Sequence, residues 1–200
     1  VIDFLKDRFD RLPMSEKKRQ IFNLPNSITM LRVGIIPVLF LLLLNPGRVL
    51  SLVIALLFIA AALTDLLDGY IARRYNIVTK VGQLMDPIVD KLIISTAMIM
   101  LIPLDRIPAW VVVIMIARDV VVDGIRSFAS AEGLIIEASS LGKQKTLCQV
   151  IGVSALLIHY PFLGLNAHAV GIVVIYIALV LSVWSGTEYT MKFHRESLSH

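Results

Sequence analysis

Six apolar stretches recur along the chain, around residues 28–44, 49–70, 88–104, 107–128, 146–158 and 168–184. Most match a bilayer in length, since a hydrocarbon core of about 30 Å takes about 20 helical residues to cross. The chain has 200 residues and 57% of them are hydrophobic, too apolar for an ordinary soluble domain. That length admits six crossings with their loops and excludes a large extramembrane catalytic domain. The expected fold is all-α: a polytopic membrane protein of six transmembrane helices occupying residues 23–200 as one domain.

The connections order these spans. Those after the first span (Asn45, Pro46, Gly47) and the third (Pro103, Asp105, Pro108) are short and proline-marked, so each is expected to pair the helices that it joins. Of the 19 Lys and Arg residues, 17 fall on the face shared by the N-terminus, the second and fourth connections and the C-terminus; only Arg48 and Arg106 fall opposite. Retention of positive charge on the cytoplasmic side then puts both termini in the cytoplasm, with a bacterial plasma (inner) membrane as the expected location and an organelle membrane as the alternative. Residues 1–22 carry charges throughout, which does not suit a secretory signal. Ile2, Leu5, Phe9 and Leu12 recur there at helical spacing, so a juxtamembrane amphipathic helix lying in the headgroup region is expected. The single cysteine, Cys148, is expected to be a packing residue, and His159 and His168 to be interfacial residues rather than ligands.

Charge inside this apolar pattern is the anomaly. Asp65 and Asp68 stand at i and i+3 near the end of the second span, and Asp86 and Asp90 at i and i+4 near the start of the third. Each pair occupies one face of its helix, and two neighbouring antiparallel helices can bring the pairs together. Four carboxylates in a medium of lowered dielectric repel one another unless protonated or neutralised by cations. Two divalent ions balance them, and all-oxygen ligands favour Mg²⁺ or Mn²⁺, a combination suited to holding a diphosphate and stabilising a departing oxygen. Gly69, Ala72 and Gly82 are small enough to let backbones approach each other or a flat ligand such as a nucleotide. Capping helix ends, or pairing with Arg73, Arg74, Lys80 and Lys91, explains any one acid more readily than all four.

A second cluster, Arg118, Asp119, Asp123 and Arg126 in the fourth span and Lys143 and Lys145 before the fifth, falls on the same side. Arg118 lies about 17 Å along its helix, too deep to reach the headgroups easily. Asp119 and Asp123, mutual i, i+4 neighbours, are expected to orient the guanidinium groups of Arg118 and Arg126. Several basic groups beside a two-metal site point to an anionic acceptor, a phosphate ester. For Arg126, Lys143 and above all Lys145, the competing expectation is snorkelling to lipid headgroups.

Taken whole, the spacing Asp-x2-Asp-Gly-x2-Ala-Arg-x8-Gly-x3-Asp-x3-Asp from Asp65 to Asp90 resembles the signature of the CDP-alcohol phosphotransferase family. Eight fixed residues match by chance on the order of 10⁻¹⁰ times per starting position. The resemblance implies transfer of a phosphoalcohol group from a CDP-linked donor to an alcohol, with release of CMP. It makes Asp65, Asp68, Asp86 and Asp90 ligands of Mg²⁺ or Mn²⁺, with Asp90 also the base that deprotonates the acceptor, and has Gly69, Ala72, Arg73 and Gly82 line the CDP site. The runs 23–32, 117–119 and 142–146 look like the branch that makes phosphatidylglycerophosphate from CDP-diacylglycerol and glycerol 3-phosphate. By that likeness Pro25, Asn26 and Thr29 border the nucleotide, while Arg118, Arg126 and Lys143 hold the acceptor phosphate. An inositol phosphate acceptor is the near alternative. A divalent-cation transporter, a prenyltransferase and a non-enzymatic scaffold are the more distant ones. Membrane lipids are expected partners, nucleic acid is not, and a homodimer is among the assemblies that the resemblance allows.

Overall fold

The computed structural model describes residues 24–74, 80–132, 140–161 and 164–197. The expected amphipathic helix over 1–22 lies outside them. Six helices make up the described chain: α1 (Leu24–Leu42), α2 (Arg48–Arg74), α3 (Lys80–Leu101), α4 (Ala109–Ala131), α5 (Ser140–Ile158) and α6 (Ala167–Ser197), with no strand among the described residues. Each contains most or all of one apolar stretch, and several run past it. α2 continues through its acids to Arg74, α5 begins at Ser140, and α6 extends well beyond Trp184. Hydropathy marks where the apolar surface stops, whereas backbone hydrogen bonding continues across polar side chains.

The interior is one apolar cluster that includes Leu39, Ile54, Phe58, Met98, Leu101, Val111, Met115, Leu156 and Ile175. The outer surface is also apolar, with Val49, Leu56, Val113, Val120, Val180 and Trp184 all exposed. A molecule apolar inside and outside is built for lipid rather than water. Among the described residues one helical segment, Ala167–Glu196, is long and apolar enough to cross a membrane by length and composition. Only 39% of its most apolar part is buried, so it is not the enclosed core helix of a soluble protein. Val33–Leu42, Arg48–Thr64 and Lys91–Leu101 are shorter apolar helical segments.

Both short connections pair their helices as expected, since α1 packs on α2 and α3 on α4. The broadest seam joins α5 and α6. There a Cβ at Gly152 would lie 2.8 Å from Ile175 Cγ1, and one at Gly171 would lie 2.8 Å from Leu156 Cγ. Each helix thus contributes a glycine on which a branched side chain of the other sits.

At the end away from the acids, the chain turns by satisfying helix carbonyls. The Asp105 N–H donates to Ile102 O (3.0 Å) and the Arg106 N–H to Leu101 O (3.1 Å), with Asp105 left-handed at φ 54°. This paired 5→2 and 6→1 bonding closes α3, and Pro108 follows where the helix cannot resume. His159, at φ 59°, closes α5 by donating its N–H to Ala155 O at 3.0 Å. The next two α5 carbonyls, of Leu156 and Leu157, accept from Arg106 Nη1 at 3.4 and 3.0 Å, while Arg106 Nη2 donates to Ser51 Oγ of α2 at 3.1 Å. Arg106 is 4% exposed. Its charge rests on a helix C-terminus, where the backbone dipoles favour a cation. Burial pulls its pKa below the usual arginine value.

Candidate active site at the acidic end of the bundle

The helices continue without a break through the expected site positions. Pro25, Asn26 and Thr29 belong to the first turns of α1; Asp65, Asp68, Gly69, Ala72 and Arg73 to the last turns of α2; Gly82, Asp86 and Asp90 to the opening turns of α3. The i, i+3 and i, i+4 spacings are therefore true helical spacings, and each acid pair shares a face. Thr64, at the edge of this polar region, keeps its hydroxyl on the helix by donating to Ala60 O at 2.7 Å. The side chains of these eleven site residues lie outside the described set. Among the described residues no group of three or more His, Cys, Asp or Glu side chains gathers to hold a metal ion. The donor chemistry fits a hard divalent ion: four carboxylates carried two by two on regular helices, all oxygen and no soft ligand.

Beside these turns, α3, α4, α5 and α6 share an ionic network. Lys145 donates from Nζ to both carboxylate oxygens of Asp119, at 2.6 and 2.7 Å, and its side chain is 5% exposed. Arg118 donates from Nη1 to Asp119 Oδ1 at 3.0 Å. Its Nε donates to Ser182 O at 2.8 Å and its Nη2 to Ser185 Oγ at 2.6 Å, both on α6. Lys91, next to Asp90 in sequence, pairs with Asp123. Buried charge needs partners of this kind, because desolvation otherwise outweighs what packing returns. Among the described residues three cations (Lys91, Arg118, Lys145) share two carboxylates (Asp119, Asp123) in this network.

Two sequence expectations change here. Lys145, expected to snorkel outward, is buried on Asp119; α5 begins before the apolar stretch, so Lys145 sits inside the bundle. Asp123 was to orient an arginine, but it takes Lys91 instead, because spacing along α4 does not reveal which cation a neighbouring helix delivers. The three residues expected at the acceptor phosphate occupy different settings. Arg118 is held in the network, Arg126 is exposed with its guanidinium carbon 5.6 Å from the ring centroid of Tyr189, and Lys143 is exposed in the opening turns of α5. Ser182, Ser185 and Gly186 were missed altogether. They lie beyond or at the end of the last apolar stretch, and nothing in their local pattern announces an arginine arriving from α4.

An all-helical, lipid-facing bundle with aspartate pairs at helical spacing on two successive helices is what a membrane transferase acting on a diphosphate-linked donor is expected to present. The chain belongs to the CDP-alcohol phosphatidyltransferase family, whose family model it matches over residues 22–184. It is similar to a Bacillus subtilis (strain 168) protein named CDP-diacylglycerol--glycerol-3-phosphate 3-phosphatidyltransferase, 40% identical over 184 residues that cover 86% of this chain and 95% of the relative. Proteins of the same name from Rickettsia typhi and Salmonella choleraesuis are 36% and 33% identical, each covering 84% of this chain and 94% and 93% of their own length.

Proposed function

We propose that this chain transfers the phosphatidyl group of CDP-diacylglycerol to sn-glycerol 3-phosphate, giving phosphatidylglycerophosphate and CMP. The observation that carries this reading is similarity along 84–86% of the chain to relatives whose names state that activity. In this reading Asp65, Asp68, Asp86 and Asp90 would hold two Mg²⁺ or Mn²⁺ ions, which supply charge neutralisation at the diphosphate and at the departing oxygen. Asp90 accepts the proton of the glycerol hydroxyl as that oxygen bonds to the β-phosphorus. The bond from the β-phosphorus to the bridging oxygen breaks, and the oxygen leaves with CMP. Pro25, Asn26, Thr29, Gly69, Ala72, Arg73 and Gly82 border the CDP moiety. Arg118, Arg126 and Lys143 attract and orient the phosphate of the acceptor, and the gathering of Lys91, Arg118 and Lys145 beside the acidic turns supports an anionic acceptor over a neutral polyol.

The same reading gives six membrane crossings in the inner membrane, with both termini and the acidic end on the cytoplasmic side and the interfacial helix over 1–22, and it leaves room for a homodimer. The charge partition along the sequence supports this orientation. An assay of the purified protein with CDP-diacylglycerol, Mg²⁺ and parallel acceptors tests the chemistry. CMP release dependent on glycerol 3-phosphate is expected. Preference for inositol phosphate, inositol or serine would overturn the acceptor, and metal flux into liposomes without any CMP release would replace the enzyme by a transporter.

A further inference from the structure

Arg118 reaches across the α4–α6 seam into a notch one helical turn long. Ser182, Ser185 and Gly186 stand at i, i+3 and i+4 on α6, hence on one face. The Ser182 carbonyl accepts from Arg118 Nε at 2.8 Å, and Ser185 Oγ accepts from Nη2 at 2.6 Å while donating onward to Ser182 O at 3.2 Å. The third side of the notch is an absence of atoms. A Cβ at Gly186 would stand 2.9 Å from Arg118 Nε and 3.1 Å from its Cγ, so any larger residue there displaces the arginine. Ser182 and Ser185 are buried. The match to the family ends at residue 184, before Ser185 and Gly186.

A guanidinium has five N–H donors in a planar fork. Arg118 uses three of them, on Ser182, Asp119 and Ser185, and among the described residues one N–H on each Nη stays without a partner. Fixing the plane of the fork with three bonds while leaving two donors is what preorganised recognition of a phosphate requires, since a free arginine must lose its rotamer entropy on binding. We propose that Ser185 and Gly186, with the Ser182 carbonyl, are positioning residues for the acceptor: α6 sets the plane of Arg118 and thereby the affinity for the acceptor phosphate. The proposal rests on the reading that Arg118 holds that phosphate.

Initial rates of the purified full chain, with glycerol 3-phosphate varied at saturating CDP-diacylglycerol and Mg²⁺, test it. Ser185→Ala is expected to raise the KM for glycerol 3-phosphate about tenfold, the scale of a lost hydrogen bond to a charged group. Gly186→Ala is expected to raise it by at least as much. The KM for CDP-diacylglycerol and kcat should hold in both, and Ser185→Thr, which keeps the hydroxyl, should bring the acceptor KM back. Arg118→Ala is run alongside. If it raises the acceptor KM while Ser185→Ala and Gly186→Ala do not, the positioning role is overturned and the acceptor reading stands. If Arg118→Ala leaves that KM unchanged, both fall. A lower thermal midpoint in Ser185→Ala and Gly186→Ala with neither KM moved would reduce the notch to a structural tie and overturn the proposal. Should Gly186→Ala not fold, the Ser185→Ala and Ser185→Thr pair decides.

Discussion

The two ends of the bundle each bury an arginine, and they satisfy it differently. Arg106, at the end away from the acids, is bound by two backbone carbonyls and one hydroxyl, with no carboxylate among its partners in the described residues. Arg118, at the acidic end, is bound by a carbonyl, a hydroxyl and a carboxylate that it shares with Lys145. A guanidinium placed on helix dipoles closes a turn and holds three segments together. One placed beside Lys145 on a shared carboxylate keeps two cations close together at the end that carries the expected site positions. The difference separates an arginine that ties a turn from one that, in the proposed reaction, holds the acceptor phosphate.

The largest expected effect falls on the acidic end. Asp68→Asn keeps the size of the side chain but removes its charge, and turnover should fall by at least about 10³-fold at every substrate concentration. Normal rates in membranes carrying this variant would remove the acids from the chemistry. Arg106→Ala should act on stability alone. Two carbonyls and a hydroxyl lose their donor, each worth about 1–3 kcal/mol when left unsatisfied, so the thermal midpoint drops by roughly ten degrees or more while both KM values hold. A raised acceptor KM in Arg106→Ala would break the division between the ends. Lys143→Ala sharpens it from the other side, with a KM for glycerol 3-phosphate raised several-fold and an unchanged midpoint. An unchanged KM would take Lys143 out of the phosphate site.

The smallest effect is a pH dependence confined to the end that carries Arg106. Burial first, then Arg106, then His168 hold the His159 imidazole below its ordinary pKa. The rings of His159 and His168 stand 4.9 Å apart, and neither Nδ1 has a partner among the described residues. The unfolded chain therefore binds a proton more readily than the folded one. The stability contributed by a neutral His159 is complete above the ordinary histidine value of about 6.5 and is lost as pH falls through the depressed folded value. Thermal midpoints taken from pH 7.5 down to 5 should show this loss. They should flatten in His159→Asn, which tolerates the left-handed backbone at φ 59°. Equal slopes in both proteins would assign the pH dependence elsewhere.

Hydropathy placed all six helices, because each needs an apolar surface and apolar runs are local. The aspartate spacing was equally plain, since a helix fixes which residues share a face. Partners across seams were not legible. Lys145 looked like a lysine at a membrane edge until α4 brought Asp119 to it, and Asp123 looked like an arginine's neighbour until α3 brought Lys91. Arg106 counted only as one of two stray cations, whereas its role depends on where α5 ends and α2 begins. Ser182, Ser185 and Gly186 matter through an arginine more than sixty residues away. Each of these belongs to the packing of one helix on another, which local periodicity does not encode.

The glycine seats between α5 and α6 bear on how the molecule can move. Sliding either helix by one residue would lift Ile175 and Leu156 out of the gaps above Gly152 and Gly171 and drive them against larger neighbours. These two helices are geared together and travel as one piece. Gly34 on α1 and Gly124 on α4 meet nothing within 4 Å where a Cβ would stand, so that gearing stops short of them. A slide that keeps both seats filled must move α5 and α6 together against the other helices.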